Sequence, residues 1–212
     1  MAMEAFHTLA AVGAPLDRAN VDTEVIIPIA RLIANKRGQF GPYCLEPWRV
    51  DANGEPDPSF FINDPRYRGA RILVAGENFG CGSSREAAVW ALWDLGIRVV
   101  IAESFGDIFR ANCFQNGLLP ITLPKADVVR LLDEITTAPE PLMVVDLASG
   151  RITTPLRGTI EFAIDAQRRD ALLEGLDEVG MTLKLIGDID AFERRDRIAR
   201  PWAYTGLETR TA

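Results

Sequence analysis

The sequence predicts an α/β fold built on a parallel sheet, and two observations carry that prediction. Residues 70–123 alternate short apolar runs with helical segments: strand 71–75, helix 84–95, strand 98–103, helix 106–116, strand 118–123. Strands separated by single helices are the pattern of parallel crossovers. Glycines also stand where such units turn. Gly76, Gly80 and Gly82 lie between the first strand and its helix, and Gly96 and Gly117 follow the two helices as C-terminal caps.

The flanking segments read less regularly. Residues 5–12 alternate weakly and predict a first strand. The polar stretch 17–24 is a turn in which Asn20, Asp22 and Thr23 can bond their own backbone. Val25 to Ala30 is β-branched and carries Pro28, which predicts a strand at an edge or strand end. A short helix over 31–37 is stopped by Gly38. Residues 38–69 hold five prolines and the aromatics Phe40, Tyr43, Trp48, Phe60, Phe61 and Tyr67. Such a loop packs on something, either shaping a site or interface or forming a structural excursion. Farther on, Val128, Leu131, Leu132 and Ile135 sit at helical spacing, and 143–147 and 151–153 flank the hairpin signal Ala148-Ser149-Gly150. A strand over 159–164 follows. The remainder, about 166–200, is helical, divided at Gly175, Gly180 and Gly187. The chain is read as one domain, 1–212, with its core at about 5–165.

Composition narrows the function. The net charge of −7 and the lack of any Lys/Arg cluster argue against nucleic acid. The apolar runs are far too short to span a membrane. With no basic segment and apolar core at the N-terminus, a cytoplasmic location is expected. The cysteines, Cys44, Cys81 and Cys113, are odd in number and widely spaced, so a zinc or iron–sulfur site on this chain alone is not expected, and reduced thiols are. His7 is the only histidine and lies near the terminus, which excludes an internal histidine base or a histidine-rich metal site.

The stretch 76–95 carries the chemistry. A strand, a glycine loop and a helix N-terminus together suit an anion. The loop is not a dinucleotide fingerprint, because Arg85 stands where the third glycine belongs. Nor is it a Walker loop, since no Gly-Lys-Ser/Thr follows, nor a nucleophile elbow, since no glycine follows the serines. Ser84 is a fair N-cap, and Ser83 lies in the loop just ahead. Arg85 is unfavourable beside the positive end of the helix, but its fork suits a carboxylate. The group could hold a di- or tricarboxylic acid. The alternative is that Ser84 only caps and Arg85 only pairs with a neighbouring acid. The helix that follows is apolar nearly all round, which predicts a central position or a subunit contact.

Three motifs extend this picture. Gly76-Glu77-Asn78-Phe79-Gly80-Cys81-Gly82-Ser83-Ser84-Arg85-Glu86 resembles the signature of the small subunits of 3-isopropylmalate dehydratases, the swivelling domain of the aconitase superfamily. Asn20-Val21-Asp22-Thr23-Glu24-Val25-Ile26-Ile27-Pro28 resembles the family's N-terminal motif, and the stretch from Ser104 to Pro120 resembles its second signature. The resemblance implies a β/β/α swivelling fold, like the aconitase C-terminal domain, with a C-terminal helical extension. It implies a large-subunit partner, in a heterodimer or heterotetramer, that carries a [4Fe–4S] cluster, with no cofactor bound by this chain. The implied reaction isomerises a small hydroxy-dicarboxylic acid, 2-isopropylmalate, to 3-isopropylmalate by dehydration and rehydration. Iron acts as the Lewis acid. Ser83 matches the serine that acts as base in its alkoxide form. Ser84 and Arg85 match groups that hold substrate carboxylates. Asp22 and Thr23 match a motif near the same cleft, with a substrate-binding role or a purely structural turn as the two readings.

Two departures stand out. The family pattern reads Ser-Arg-Glu-His, whereas Ala87 follows Glu86 here, and its Thr-Asp step is Thr23-Glu24. These leave open a paralogue acting on another 2-hydroxy diacid, of methylmalate/citraconate or homoaconitate type, or a non-catalytic subunit.

Overall fold

The computed structural model describes residues 3–51, 53–82 and 85–204. Strand β1 (Thr8–Leu16) is the member on which the sheet changes direction. Its first half, Thr8 to Val12, pairs antiparallel with Asp146 to Leu142, and its second half, Gly13 to Leu16, pairs parallel with Ile72 to Ala75. After β1 come three short helices, α1 (Thr23–Ile26), α2 (Ile29–Ala34) and α3 (Glu46–Arg49). The α/β unit follows as β2 (Ile72–Ala75), α4 (Ala87–Leu95), β3 (Val99–Ala102), α5 (Asp107–Gln115) and β4 (Leu119–Thr122). Helix α6 (Lys125–Thr137) leads to the antiparallel strands β5 (Leu142–Asp146), β6 (Arg151–Thr153) and β7 (Thr159–Glu161). Helices α7 (Ala166–Glu174), α8 (Glu178–Leu183) and α9 (Ile186–Ala199) follow.

The strands form one seven-stranded mixed sheet in the order β4-β3-β2-β1-β5-β6-β7. The parallel half is the one predicted from the sequence. Every residue of β2 and β3 is buried, which is why these strands read as unbroken apolar runs rather than alternating ones. In β5 the alternation returns, with Met143 and Val145 buried and their neighbours more exposed. Helix α4 buries Ala87, Ala88, Val89, Ala91 and Leu92, matching its apolar surface, and Gly96 caps it in the left-handed region as expected.

Several elements differ from expectation. Val25 to Pro28 is not a strand. The Asp22 carboxylate accepts from the Val25 amide at 2.8 Å and starts α1 instead, with Ile26 and Ile27 fully buried. A side-chain cap thus outweighs β-branched propensity. Helix α4 begins at Ala87 rather than at 84, with Glu86 in the N-cap place and no side-chain cap bond; Ser84 lies outside the described residues. In the C-terminal segment Gly175 ends α7, but Gly180 and Gly187 lie inside α8 and α9. The Asp177 carboxylate, which accepts from Gly180 N at 2.7 Å, sets the start of α8. The aromatic loop does pack: Phe40, Cys44, Leu45, Phe60, Phe61 and Tyr67 are buried in the core. His7 is fixed beside β1, its carbonyl accepting from Leu147 N at 2.9 Å.

Candidate active site

The loops that leave β1, β2 and β3 gather at the carboxyl ends of the parallel strands, where α/β sheets place their ligands. The loop after β1 runs beside the glycine loop. Asn20 N donates to Glu77 O at 2.9 Å, Gly80 N to Val21 O at 2.7 Å, and Thr23 N to Cys81 O at 3.0 Å. Asn20 and Asn78 both adopt left-handed conformations, φ 55° and 57°, and the Asn78 amide donates to Asn20 Oδ1 at 2.7 Å. Asparagine tolerates this region better than most residues. The loop after β3 joins them: Phe79 N donates to Ser104 O at 3.0 Å, Gly106 N to Phe79 O at 2.9 Å, and Asn78 N to Ser104 Oγ at 2.8 Å.

Two glycines permit this convergence. A Cβ at Gly106 would lie 2.6 Å from the Gly80 carbonyl oxygen. Gly80 has φ +72°, and a Cβ there would run into the Phe109 ring. Beneath the loop, Phe79 and Phe109 meet edge to face with centroids 5.4 Å apart, giving it a fixed apolar floor. All three sequence motifs therefore meet at one place.

Of the residues singled out from the sequence, the structure describes Asp22, Thr23 and Arg85. Ser83 and Ser84 lie outside the described residues, between Gly82 and Arg85. Arg85 Nη1 donates to Glu24 Oε2, so the neighbouring acid anticipated as an alternative is present. The pair engages a single guanidinium nitrogen; among the described residues nothing binds the Nε–Nη2 edge, the edge that can grip a carboxylate in two-point fashion. Glu24 Oε1 accepts from Ile29 N at 3.0 Å, which links the pair to the start of α2. Asp22 is engaged as the cap of α1, and Thr23 is buried. Both pack beside Gly82: a Cβ there would lie 3.5 Å from Asp22 Cβ and 3.8 Å from Thr23 Oγ1. In this arrangement the two shape the loop from below.

The Ile29 amide first, and then Arg85, hold the Glu24 carboxyl below its ordinary range. A lowered folded-state pKa means the pair is complete above the ordinary carboxylate pKa and is lost as pH falls through the lower folded value. In a carboxyl-carbon NMR titration, Glu24 should titrate below an ordinary glutamate. In Arg85→Ala it should move up but stay below the ordinary range, because the Ile29 bond remains. An unshifted Glu24 in the native chain would contradict the pairing.

One contact was not legible in the sequence. Asn116, at the end of α5, donates to Glu86 Oε1 at 2.8 Å across 30 residues of chain. An Asn before Gly117 reads locally as a helix end, and nothing in its neighbours points to Glu86.

The thiols do not form a cluster site. Cys44 and Cys113 are fully buried, Cys81 lies apart in the glycine loop, and all three are free. Burial pushes the Cys44 thiol up to about 12 and the Cys113 thiol well above its ordinary value. Among the described residues no three His, Cys, Asp or Glu side chains converge as metal ligands, and no helix is long and apolar enough to cross a membrane. The residues present here do not fit an iron–sulfur cluster. A cavity of about 570 Å³ lies between α5 and α7–α8, lined by Phe114, Arg168, Leu176 and Met181, away from the glycine loop.

Fold and loop together define an aconitase-type C-terminal domain. The family model for that domain matches residues 3–126, and the model for the C-terminal domain of 3-isopropylmalate dehydratase small subunits matches residues 178–205. The chain is 49% identical to the 3-isopropylmalate dehydratase small subunit of Magnetococcus marinus, over 95% of this chain and 99% of that one. It is 48% identical to the small subunit of Dinoroseobacter shibae, over 94% and 100%. Among solved structures it is similar to a 3-isopropylmalate dehydratase from Methanocaldococcus jannaschii, with TM-score 0.63 and 28% identity, covering 86% of this chain and 99% of that one. The chain belongs to the family of 3-isopropylmalate dehydratase small subunits.

Proposed function

We propose that this chain is the small subunit of a heteromeric hydro-lyase that converts 2-isopropylmalate to 3-isopropylmalate in leucine biosynthesis, active only with its large subunit. The observation that supports this most is the full-length similarity, at 49% identity, to a small subunit of that name. The open edge of Arg85 agrees with it. Ala87, where the resembled signature has histidine, is buried in α4.

In this reading Arg85 grips one substrate carboxylate, and Ser84 a second oxygen. Ser83, as the alkoxide, takes the proton from the carbon next to a carboxylate. A serine hydroxyl is too weak an acid to ionise unaided, so the α4 N-terminus and the Arg85 charge must stabilise its anion. The substrate hydroxyl leaves as hydroxide, and hydroxide re-adds with the opposite regiochemistry, the proton returning from Ser83. Asp22 and Thr23 keep the loop in register for substrate. A [4Fe–4S] cluster is assigned to the large subunit, where it supplies a Lewis acid. The free thiols favour a reducing, cytoplasmic setting.

The test is reconstitution. The chain mixed with a cluster-loaded large subunit should interconvert the two isopropylmalates, and neither subunit alone should. Failure on isopropylmalate with turnover of citraconate or homoaconitate would transfer the assignment to a paralogue. No turnover of any of them would favour a non-catalytic subunit.

A further inference from the structure

Asn116 is 8% exposed, and its side-chain amide is fully bonded. Oδ1 accepts from Arg37 Nη2 at 3.1 Å and from Trp90 Nε1 at 2.9 Å. Those partners can only donate, so they fix which end of the amide is oxygen. The Nδ2 end donates to Glu86 Oε1 at 2.8 Å and to Asn112 O at 2.9 Å. Four bonds from four chain positions thus meet on one buried amide. Arg37 also lies over the Trp90 ring, 5.0 Å from its centroid.

The place of Glu86 gives this junction its consequence. Glu86 stands at the N-cap position of α4 but makes no cap bond. Its carboxylate is turned to Asn116 instead. The first ladder bonds of α4 run from Ala88 N to the Arg85 carbonyl, 3.2 Å, and from Val89 N to the Glu86 carbonyl, 2.9 Å. The backbone of Arg85 is therefore part of the first turn, and whatever fixes Glu86 fixes the root of the Arg85 side chain. At the tip, Glu24 holds only Nη1.

We propose that Asn116 is a positioning residue for the reaction: by clamping Glu86 it sets the first turn of α4, and with it the direction in which Arg85 presents its open edge. This rests on Arg85 as the carboxylate-binding group. An amide is the side chain the place demands, because it must accept from two donors and donate to a carboxylate at once. A carboxylate of the same shape would keep Arg37 and Trp90 but face Glu86 with like charge.

The experiment uses the assembled enzyme and steady-state kinetics on 2-isopropylmalate. Asn116→Asp should raise KM about 10-fold with kcat changed less than about threefold, the pattern of lost ground-state binding. Combining Asn116→Asp with Glu86→Gln reverses the hydrogen bond, the new amide donating to the new carboxylate, and should bring KM back to within about threefold of the native value. A residue that only supports the fold would give lower thermal stability with unchanged KM, and that result overturns the proposal. So does a double variant that recovers nothing. Should Asn116→Asp fail to fold, Glu86→Leu removes the same bond from the other side; the same rise in KM is expected, and an unchanged KM overturns the proposal. Arg85→Lys, measured alongside, separates the premises. If it leaves KM unaltered, the reading of Arg85 fails. If it raises KM while the Asn116 variants do not, only the positioning role fails.

Discussion

Replacing Ser83 with alanine should lower kcat in the assembled enzyme by at least about 10³-fold, the scale expected when an essential proton-transfer group is removed. The physical ground is the place of Ser83 in the chain. It follows Gly82, which is seated against Asp22 and Thr23, and precedes Arg85, a cation tied into the first turn of α4. In the proposed reading an alkoxide on Ser83 would draw on the α4 N-terminus and the Arg85 guanidinium, and Ala has no oxygen to ionise. No histidine of this chain can substitute, since its one histidine, His7, stands beside β1. The loss should fall on kcat, because the proton is transferred only in the transition state. Assembly with the large subunit, followed by gel filtration, should be unaffected. Turnover within tenfold of native would end the assignment of Ser83 as base.

The parts of this fold that were legible in the sequence are those where local chemistry and the final structure agree. Gly96 and Gly175 end helices because the left-handed cap is a local matter, readable from one glycine after a helical segment. The buried strands β2 and β3 announced themselves as apolar runs. The resemblance placed the Asp22–Thr23 motif near the glycine loop; that the stretch from Ser104 joins them appears only in three dimensions. Gly106 could be read as a turn glycine; that it clears the Gly80 carbonyl required the fold.

The misread segments share one cause. Val25 to Pro28 has strand composition, yet one capping bond from Asp22 and the burial of Ile26 and Ile27 decide for a helical turn. Gly180 and Gly187 looked like breaks, but Asp177 nucleates α8 through the amide of Gly180 itself. Side-chain-to-backbone bonds over three residues outweighed propensity in both places. Asn116 is the opposite case. Its partners Arg37 and Glu86 are 79 and 30 residues away, and no local pattern marks a buried amide that joins them. The Arg85–Glu24 pair spans 61 residues and was foreseen only as an unnamed acid.

That pair leads to the second large effect. Arg85→Ala should reduce kcat/KM by about 10³- to 10⁴-fold, and Arg85→Lys by about 10- to 100-fold, with most of the lysine effect in KM. The two variants remove different things. Lysine keeps the positive charge that favours the Ser83 alkoxide and can still reach a single oxygen, as Glu24 now receives a single bond from Nη1. It lacks the planar second edge that holds a carboxylate at two points, so substrate binding weakens while chemistry persists. Alanine removes both. It also leaves Glu24 with only the Ile29 amide, so an uncompensated carboxylate faces the incoming diacid and repels it. Steady-state kinetics on the reconstituted enzyme separate the cases. If Arg85 serves only to pair with Glu24, then Arg85→Ala and Glu24→Ala should both leave kcat/KM within about threefold of native, and the loop would have to bind its substrate through some other group.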